Sequence, residues 1–381
     1  MDSGFTIPWK NVRRGLFRRS LLRWYIAHAR VLPWRHTPNP YRIWVSEIML
    51  QQTRVSAVIP YYQRFIKRFP TVQALASAEI EEVLALWSGL GYYRRIRDLH
   101  QAANIVARKH HGIVPDNRKE LLLLPGIGAY TAGAILSLAY DLPEPVLDGN
   151  VARVLCRIFA IRQDPRARST VNRLWQLASW MLPLKQSSSF NQALMELGAL
   201  CCLPRSPQCT VCPVRIHCLA EEQGLQAFLP VPRKPAAKSK ERLAAVVLIH
   251  KNRILLLKKE QGALVSGLWE LPLFSRPAPD NPDPGDLAAN LKVTLNTKAS
   301  PINWVGRVRH NIMQRDIQLD IYSATAKIRR VSKTEDNVES VWILPDEISQ
   351  YGVSSLSLKA LRLWQKTFDS KSICRSSQQF S

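Results

Sequence analysis

Four cysteines close together in this 381-residue chain constrain its fold more than any other feature of the sequence. Cys202, Cys209, Cys212 and Cys218 follow the spacing C-x6-C-x2-C-x5-C, and prolines stiffen the loop between them. Four thiolates so close in sequence suit an iron–sulfur cluster or a zinc ion, since both take soft sulfur ligands. Disulfides are the competing interpretation, but they are disfavoured in a basic intracellular protein. The remaining cysteines lie outside this spacing and are expected to be ordinary thiols: Cys156, Cys201 and Cys374.

The charge balance indicates a polyanionic partner. The chain has 53 Lys and Arg against 29 Asp and Glu, a net charge of +24. Such a charge most often means nucleic acid, although ribosomal and membrane-surface proteins share it. No apolar run approaches the ~18 residues of a membrane span, so we expect a soluble cytoplasmic protein with no membrane partner. The arginine-rich start is interpreted as a basic N-terminal arm rather than an organellar transit peptide.

Hydrophobic periodicity divides the chain into two folded parts. Helical spacing dominates from about residue 21 to residue 200, which predicts an all-α domain of many short helices over residues 1–225. Residues 226–240 are rich in proline and basic residues, as in a linker. Strand-like alternation follows, which predicts an α+β domain over residues 241–370 and a tail over 371–381.

Two strand signals support this second domain. Residues 243–249 and 253–258 flank Lys251 and Asn252, which predicts a hairpin. Ile317, Leu319 and Ile321 alternate with polar residues, as in a half-buried strand.

Two carboxyl groups lie in opposite sequence environments. Glu47 is inside the apolar segment 43–50, where burial would raise its pKa and keep its proton. Asp148 precedes a helical pattern beginning at Val151, so free N–H groups and the helix dipole would depress its pKa. Carboxyl groups with opposed pKa values are typical of an acid paired with a charged nucleophile or stabiliser. The competing interpretation is a helix cap and a surface acid.

Residues 121–134 are interpreted as helix, glycine turn and helix. Gly126 and Gly128 permit a positive φ and leave backbone N–H groups bare at the start of the second helix. This arrangement binds phosphate without a charged side chain. A tight loop between packed helices explains the glycines equally well, and the basic composition favours DNA phosphate.

These pieces together resemble one family. WVSEIMLQQT at residues 44–53, GLGYY at 89–93, LPGIG at 124–128 and LDGNV at 147–151, followed by the cysteine loop, are similar to the adenine DNA glycosylase (MutY) family of the helix-hairpin-helix superfamily. The resemblance spans about residues 21–218. It implies one 4Fe-4S cluster on the four cysteines. It also implies a monomeric, nucleoid-associated enzyme that excises adenine opposite 8-oxoguanine or guanine in double-stranded DNA.

One position distinguishes the branches of this superfamily. Bifunctional relatives carry a lysine just after the hairpin, whose amine forms a Schiff base with the sugar. The matching residue here is Tyr130, a phenol that forms no imine, so we expect a monofunctional glycosylase in which Tyr130 hydrogen-bonds Glu47 or the sugar region. By the resemblance, Glu47 protonates adenine, Asp148 stabilises or traps the cationic sugar, and Asn150 orients Asp148.

The resemblance also implies substrate-binding residues. The target base must leave the stack before it reacts, and Gln52 and Tyr92 match the family's wedge positions. The adenine pocket would be lined by Arg30, Leu32, Trp34, Arg35, Gln192 and Met195. For Leu32 and Trp34, plain core packing is an equally good interpretation.

The second domain resembles the Nudix-like domain of the same family, on the segment GLWELP at residues 267–272. The clustered glutamates of Nudix catalysis are missing, so a magnesium site for diphosphate hydrolysis is not expected. The family often reads 8-oxoguanine with a Phe-Ser-His loop. The matching loop is interpreted as Val308-Arg309-His310, with Arg309 and His310 as lesion-contacting residues.

Three functions are therefore compared. The favoured one is an adenine DNA glycosylase with an all-α helix-hairpin-helix domain and an α+β Nudix-like domain. An endonuclease III-like glycosylase/lyase for oxidised pyrimidines shares the hairpin and the cysteine loop, but Tyr130 and the second domain argue against it. A non-catalytic iron–sulfur DNA-binding protein is disfavoured by the pairing of Glu47 with Asp148.

Overall fold

The computed structural model describes residues 9–35, 37–232, 238–258, 267–275, 284–312, 314–326 and 338–377. The chain divides into two compact units, the first of residues 1–77 and 98–234 and the second of residues 78–97 and 235–381. The second unit thus contains a segment that the sequence placed in the helical domain.

Twelve helices precede the first strand among the described residues, which confirms the all-α prediction. In chain order they are α1 Asn11–His28, α2 Pro40–Leu50, α3 Val55–Arg68, α4 Val72–Ala76, α5 Ile80–Trp87, α6 Arg94–Lys109, α7 Arg118–Leu122, α8 Ala129–Tyr140, α9 Gly149–Ile158, α10 Arg168–Met181, α11 Ser187–Leu200 and α12 Leu219–Glu222. A core of buried side chains joins α1, α9, α10 and α11. None of the helices in the described part of the chain is long and apolar enough to span a bilayer.

The arginine-rich start is part of this helical unit. Arg14 and Arg18 lie on α1 and donate hydrogen bonds to carbonyl oxygens at the end of α10, including Arg18 Nε to Met181 O at 2.7 Å. These carbonyls have no partner within their own helix, and a cation there is also favoured by the helix dipole. The expectation of a basic arm is therefore wrong for these two residues, which cap a helix.

A seven-stranded mixed sheet forms the second unit. The strands are β1 Ser239–His250, β2 Arg253–Lys258, β3 Trp269–Glu270, β4 Leu273–Ser275, β5 Ala299–Ile312, β6 Arg315–Ala326 and β7 Glu339–Ile343, with helices α13 Pro284–Leu295 and α14 Ser355–Ser377. The central order is β3-β2-β1-β6-β5, with β4 beside β1 and β7 beside β2. The strands β1 and β6 run parallel and the other pairs antiparallel. Buried clusters cover both faces.

The strand predictions are confirmed with shifted limits. β1 and β2 form the expected hairpin, and Lys251 and Asn252 at its turn both have positive φ. Ile317, Leu319 and Ile321 are fully buried on β6. β1 begins at Ser239, inside the predicted linker, and α14 continues to Ser377, inside the predicted tail.

The predicted loop at residues 308–310 is wrong. Val308, Arg309 and His310 lie within β5, each paired with a residue of β6. Val308 packs on the sheet core while its neighbour Arg309 is exposed, which is the alternation of a strand. Since β5 continues to Ile312 and β6 begins at Arg315, the connection between these strands does not include residues 308–310.

Candidate active site

One cavity of about 720 Å³ in the first unit brings together most of the predicted site residues. The predicted residues that line it are Arg30, Leu32, Trp34, Arg35, Glu47, Gln52, Tyr130, Asp148, Asn150, Gln192 and Met195. Leu32 and Trp34 are also largely buried, and Trp34 packs edge-on against Tyr62, so these two residues belong to the core and to the cavity wall alike. Tyr92, Arg309 and His310 lie in the second unit.

Glu47 is buried at the wall of this cavity. It lies on α2, which begins at Pro40 and is capped by Asn39, whose side chain accepts from the Arg42 N–H at 2.9 Å. Only 4% of Glu47 is exposed. Burial raises the pKa of Glu47 from 4.5 to about 7, although a hydrogen bond from Tyr130 opposes the rise. The predicted direction is confirmed, and Glu47 can hold a proton near neutral pH.

Asp148 lies at the start of α9, as predicted. Its Oδ1 accepts a hydrogen bond from the Val151 N–H at 2.6 Å, and Asn150 Nδ2 donates to its Oδ2 at 3.0 Å. The predicted pKa direction is wrong, because burial raises the pKa of Asp148 and outweighs these hydrogen bonds and the charge of Arg153. A buried carboxylate that has lost its hydration is stabilised when a cation forms beside it.

Tyr130 links α8, the second helix of the hairpin, to Glu47 through a hydrogen bond. It lies in the first turn of α8, and its hydroxyl donates to Glu47 Oε2 at 2.5 Å and contacts Met195 Sδ at 3.7 Å. Burial and the charges of Glu47 and Asp148 raise the pKa of Tyr130 well above its ordinary value, so the phenol stays neutral. The predicted hydrogen bond between Tyr130 and Glu47 is confirmed.

A glycine on α8 brings the two carboxyl-bearing regions together. A Cβ built on Gly133 would lie 2.3 Å from the carbonyl oxygen of Pro145, three residues before Asp148. A side chain at this position would push the segment carrying Asp148 away from α8. The absence of a Cβ therefore keeps Asp148 close to Tyr130 and Glu47.

A buried ion pair behind the cavity was missed by the sequence analysis. Glu196 on α11 is 1% exposed and accepts hydrogen bonds from Arg30 Nε at 2.6 Å and Arg35 Nη2 at 2.9 Å. Burial alone would raise the pKa of Glu196, but these two guanidinium groups outweigh it and lower the pKa to about 2. The missed signal is an acid within apolar helical residues, as at Glu47. The pair fixes two arginines at the cavity wall.

Arg153 links the cysteine loop to Asp148. Its Nε donates to the Cys202 carbonyl at 2.8 Å and its Nη2 donates to Asn150 Oδ1 at 2.9 Å. Asn150 in turn donates to Asp148, so the orientation of the carboxylate depends on the loop. A Cβ on Gly198 would lie 2.6 Å from the Cβ of Asn150, which shows how closely α11 approaches this network. The sequence carried no signal for Arg153, because its partners are distant in the chain.

The four predicted metal-binding cysteines line a second, small cavity. Cys202, Cys209, Cys212 and Cys218 face it, together with Cys201. The thiols surround a space, and among the described residues no three His, Cys, Asp or Glu side chains are grouped closely enough to hold a single metal ion. The buried guanidinium of Arg157 donates to Cys202 Sγ at 3.3 Å. Burial raises the pKa of Cys202, Cys209 and Cys218, so an added cationic centre would relieve the cost of forming thiolates here. The donor set fits an iron–sulfur cluster.

The hairpin has the predicted helix–turn–helix form. Gly126 has a φ of 76°, and a Cβ there would lie 2.8 Å from the Cβ of Asp98. Gly128 does not use the positive φ that a glycine permits, because it is the N-cap of α8 at a φ of −97°. Space is open beside Gly128, and Leu123 is 81% exposed on the approach to the turn. The start of α8 is therefore accessible to an anion.

The two predicted wedge residues share an unusual backbone conformation. Gln52 has a φ of 56° and Tyr92 a φ of 51°, which is strained for residues with a Cβ. Tyr92 is 48% exposed, and the guanidinium of Arg95 lies over its ring at 5.1 Å and over the ring of Trp87 at 5.4 Å. Strain of this kind persists where the surrounding structure fixes the residue, and it is common at functional sites.

Comparison with known proteins agrees with this geometry. Residues 45–179 match the family described as HhH-GPD superfamily base excision DNA repair protein, and residues 244–363 match the NUDIX domain. The adenine DNA glycosylase of Buchnera aphidicola subsp. Baizongia pistaciae is 36% identical over 329 residues, which cover 86% of this chain and 90% of that protein. The adenine DNA glycosylase of Rattus norvegicus is 34% identical over 403 residues, which cover 92% of this chain and 78% of that protein.

A solved structure matches the helical part. A thermostable thymine-DNA glycosylase is 31% identical, with a TM-score of 0.52, and covers 56% of this chain and 98% of its own. The helical fold is thus shared with glycosylases named for another base, whereas the relatives that match along most of the chain are named for adenine. With its buried acid, its neighbouring carboxylate and both regions matched in order, the chain belongs to the adenine DNA glycosylase family of the helix-hairpin-helix superfamily.

Proposed function

We propose that this protein hydrolyses the N-glycosidic bond of adenine mispaired with 8-oxoguanine or guanine in double-stranded DNA. It acts as a monomer on nucleoid DNA and leaves an abasic site. The observation that carries the proposal is the placement of Glu47, Tyr130 and Asp148 on one cavity, with the pKa of Glu47 raised to about 7.

Glu47 supplies the proton that makes adenine a leaving group. Adenine leaves poorly as an anion, and protonation at N7 lowers the barrier to breaking the bond to C1′. A carboxyl group with a pKa near 7 is about half protonated at neutral pH, so a substantial fraction of the enzyme holds the proton that the reaction needs. After the bond breaks, the carboxylate of Glu47 can accept a proton from the attacking water, as in glycoside hydrolysis.

Asp148 acts on the sugar. Departure of adenine leaves positive charge on C1′ and the ring oxygen, and a carboxylate within the same cavity stabilises or briefly traps it. Asn150 holds one oxygen of Asp148 and the Val151 N–H holds the other, so little reorientation is needed during the reaction. Asn150 is thus a positioning residue.

The remaining cavity residues receive the extruded base. Arg30 and Arg35 are fixed by Glu196, and Gln192 accepts a hydrogen bond from Tyr25 at 3.0 Å, so these polar groups are ordered before the base arrives. Leu32, Trp34 and Met195 supply apolar surface. Gln52 and Tyr92 wedge the duplex, and the N–H groups beginning at Gly126 and Gly128 bind backbone phosphate.

The enzyme is monofunctional. The position of the lyase lysine holds Tyr130, whose neutral phenol is occupied with Glu47 and has no amine to attack the sugar. The product is therefore an intact strand with an abasic site.

One 4Fe-4S cluster is held by Cys202, Cys209, Cys212 and Cys218. Once bound, it would cross-link the loop from which the Cys202 carbonyl accepts the hydrogen bond of Arg153. Loop order then reaches Asp148 through Arg153 and Asn150. The role of the loop is structural support for the carboxylate.

The second unit reads the base opposite adenine. Arg309 is exposed on β5, where its guanidinium is available to a base edge or a phosphate, and His310 is half-buried beside it. Because Lys359 Nζ donates to the Arg309 carbonyl at 2.7 Å, this part of β5 is held by α14.

Single-turnover reactions on duplexes containing A:8-oxoguanine, A:G, A:T or an oxidised pyrimidine test the proposal. Free adenine should appear from the first two, the strand should break only after alkali, and borohydride should trap no covalent complex. Release of oxidised pyrimidines with borohydride trapping would instead assign an endonuclease III-like activity. Binding without release of any base would assign a non-catalytic DNA-binding role.

A further inference from the structure

The segment that carries Tyr92 is held by the sheet-containing part of the second unit, to which it belongs. Ser88 Oγ donates to the carbonyl oxygen of Val353 at 3.1 Å, and Tyr93 Oη donates to the same oxygen at 2.9 Å. The Tyr93 hydroxyl also accepts from the Gly89 N–H at 3.2 Å. Ser88, which precedes the GLGYY segment, and Tyr93, which ends it, thus converge on one carbonyl group, and Tyr92 lies between them in the chain.

The rest of the segment is packed just as closely. A Cβ on Gly352 would lie 2.8 Å from the Cβ of Leu84 on α5, so these backbones are nearly in contact. At the other end, Arg97 Nη2 donates to the carbonyl of Gly267 at 2.9 Å. Leu84 is 3% exposed and Val353 fully buried, so this is the interior of the second unit.

Val353 is itself fixed to the sheet. The Trp269 N–H on β3 donates to the Gly352 carbonyl at 3.0 Å, and the Ser354 N–H donates to the Trp269 carbonyl at 2.9 Å. These two bonds hold the backbone on both sides of Val353. The carbonyl that receives Ser88 and Tyr93 is therefore a rigid part of the same sheet that carries β5.

We propose that Ser88 and Tyr93 are positioning residues through which the second unit holds Tyr92 in its strained wedge conformation. The inference rests on the proposed function, because it takes Tyr92 as the residue that enters the duplex. A φ of 51° at Tyr92 persists where the surrounding residues are fixed, and hydrogen bonds to the Val353 carbonyl fix the flanking Ser88 and Tyr93. The unit that reads the lesion thereby also sets the residue that opens the mispair.

Full-length Tyr93→Phe and Ser88→Ala proteins test this. Tyr93 is 4% exposed, and phenylalanine keeps its ring packing while removing the hydroxyl and both of its hydrogen bonds. The probe is a duplex with 2-aminopurine in place of adenine opposite 8-oxoguanine, whose fluorescence rises when the base unstacks. Each variant should reduce the extruded fraction roughly two- to tenfold, the range that corresponds to losing its hydrogen bond to the Val353 carbonyl.

A double-mutant cycle separates positioning from general loosening. Tyr92→Ala should lower extrusion by itself, and adding Tyr93→Phe to it should lower extrusion little further, because both act through the same wedge. Additive effects of the two changes would overturn the inference.

Tyr140→Phe is the matched control. Its hydroxyl donates to the Val114 carbonyl at 2.6 Å in the first unit, so the change also removes one phenol-to-carbonyl hydrogen bond. It should cost similar thermal stability and leave extrusion at the wild-type level. Equal extrusion by the Tyr93→Phe and Tyr140→Phe proteins would overturn the inference. The proposed function would still hold in that case, provided that the wild-type protein releases adenine. Failure of the wild-type protein to release adenine would count against the proposed function itself.

Discussion

The hydroxyl of Tyr130 donates a 2.5 Å hydrogen bond to Oε2 of Glu47, the carboxyl group whose pKa burial raises to about 7. The hydrogen bond favours the ionised carboxylate, whereas burial favours the protonated acid. Their balance places the titration of Glu47 near neutral pH, where one group can first give a proton and then accept one.

The Tyr130→Phe change should move this balance. Removing the hydroxyl removes an interaction that lowers the pKa of Glu47, so the pKa should rise above about 7. Adenine release needs protonated Glu47 and therefore falls as pH rises through that pKa. The midpoint of the fall in single-turnover rate should lie at higher pH in the variant, while Tyr140→Phe keeps the wild-type midpoint. A midpoint shifted to lower pH would contradict the assignment of Glu47 as the acid.

Burial of Glu47 should also cost stability at neutral pH. The pKa of Glu47 in the folded protein is about 7, above its ordinary value of 4.5. The contribution of Glu47 to the free energy of unfolding is therefore fully present below pH 4.5 and is lost as pH rises through about 7. Glu47→Gln should remove this loss, which is about 3 kcal/mol. Denaturant unfolding should show a variant that is more stable than wild type at pH 8, with the difference closing towards pH 4.5. A constant difference across this range would contradict the raised pKa.

Arg153→Met should slow adenine release with DNA binding largely kept. The change removes the hydrogen bonds to the Cys202 carbonyl and to Asn150, which leaves the orientation of Asp148 less fixed. The expected loss is about 1–3 kcal/mol of transition-state stabilisation, measured as single-turnover rate on A:8-oxoguanine duplex. Arg166→Met is the control, because Arg166 pairs with Asp164 on the exposed surface. Equal rates in the two variants would show that the cysteine loop does not influence catalysis through Arg153.

Cys209→Ser should lose iron and folded yield together. One missing thiolate leaves the cluster incomplete, and the loop around it then loses its cross-link. Iron and sulfide content with visible absorbance provide the measurement, and Cys156→Ser, which removes a buried thiol elsewhere, should keep both. If the wild-type protein were colourless and contained one zinc ion, the four cysteines would be assigned to zinc instead of a cluster, and the glycosylase assignment would be unchanged.

Local patterns predicted the burial of Glu47 and the helix-capping position of Asp148, whereas Asn150 was assigned from the family resemblance. A helix cap is set by a few neighbouring residues, and an acid inside an apolar run is buried wherever that run packs. The pKa direction of Asp148 was wrong because the cap is a local property, whereas burial depends on α8 and on the whole cavity.

Contacts between residues far apart in the chain could not be predicted from the sequence. Arg14 and Arg18 bond to carbonyls more than 160 residues away, and residues 78–97 fold with the second unit. Removing the chain after residue 234 would therefore do more than delete the sheet of the second unit, since it would also remove the carbonyl group to which Ser88 and Tyr93 donate hydrogen bonds. Matching the family's motif predicts a loop at Val308, Arg309 and His310, although the alternation of these residues is that of a strand.

The roles of Glu47 as the acid and Asp148 as the anion can be tested in one experiment. Single-turnover adenine release from an A:8-oxoguanine duplex is compared among wild type, Glu47→Gln and Asp148→Asn. Both substitutions keep the shape of the side chain and remove the acid or the anion that acts in the transition state. We expect mispair binding within a few-fold of wild type and adenine release slower by orders of magnitude in each variant, with no strand cleavage before alkali. Adenine release near the wild-type rate by either variant would contradict these roles.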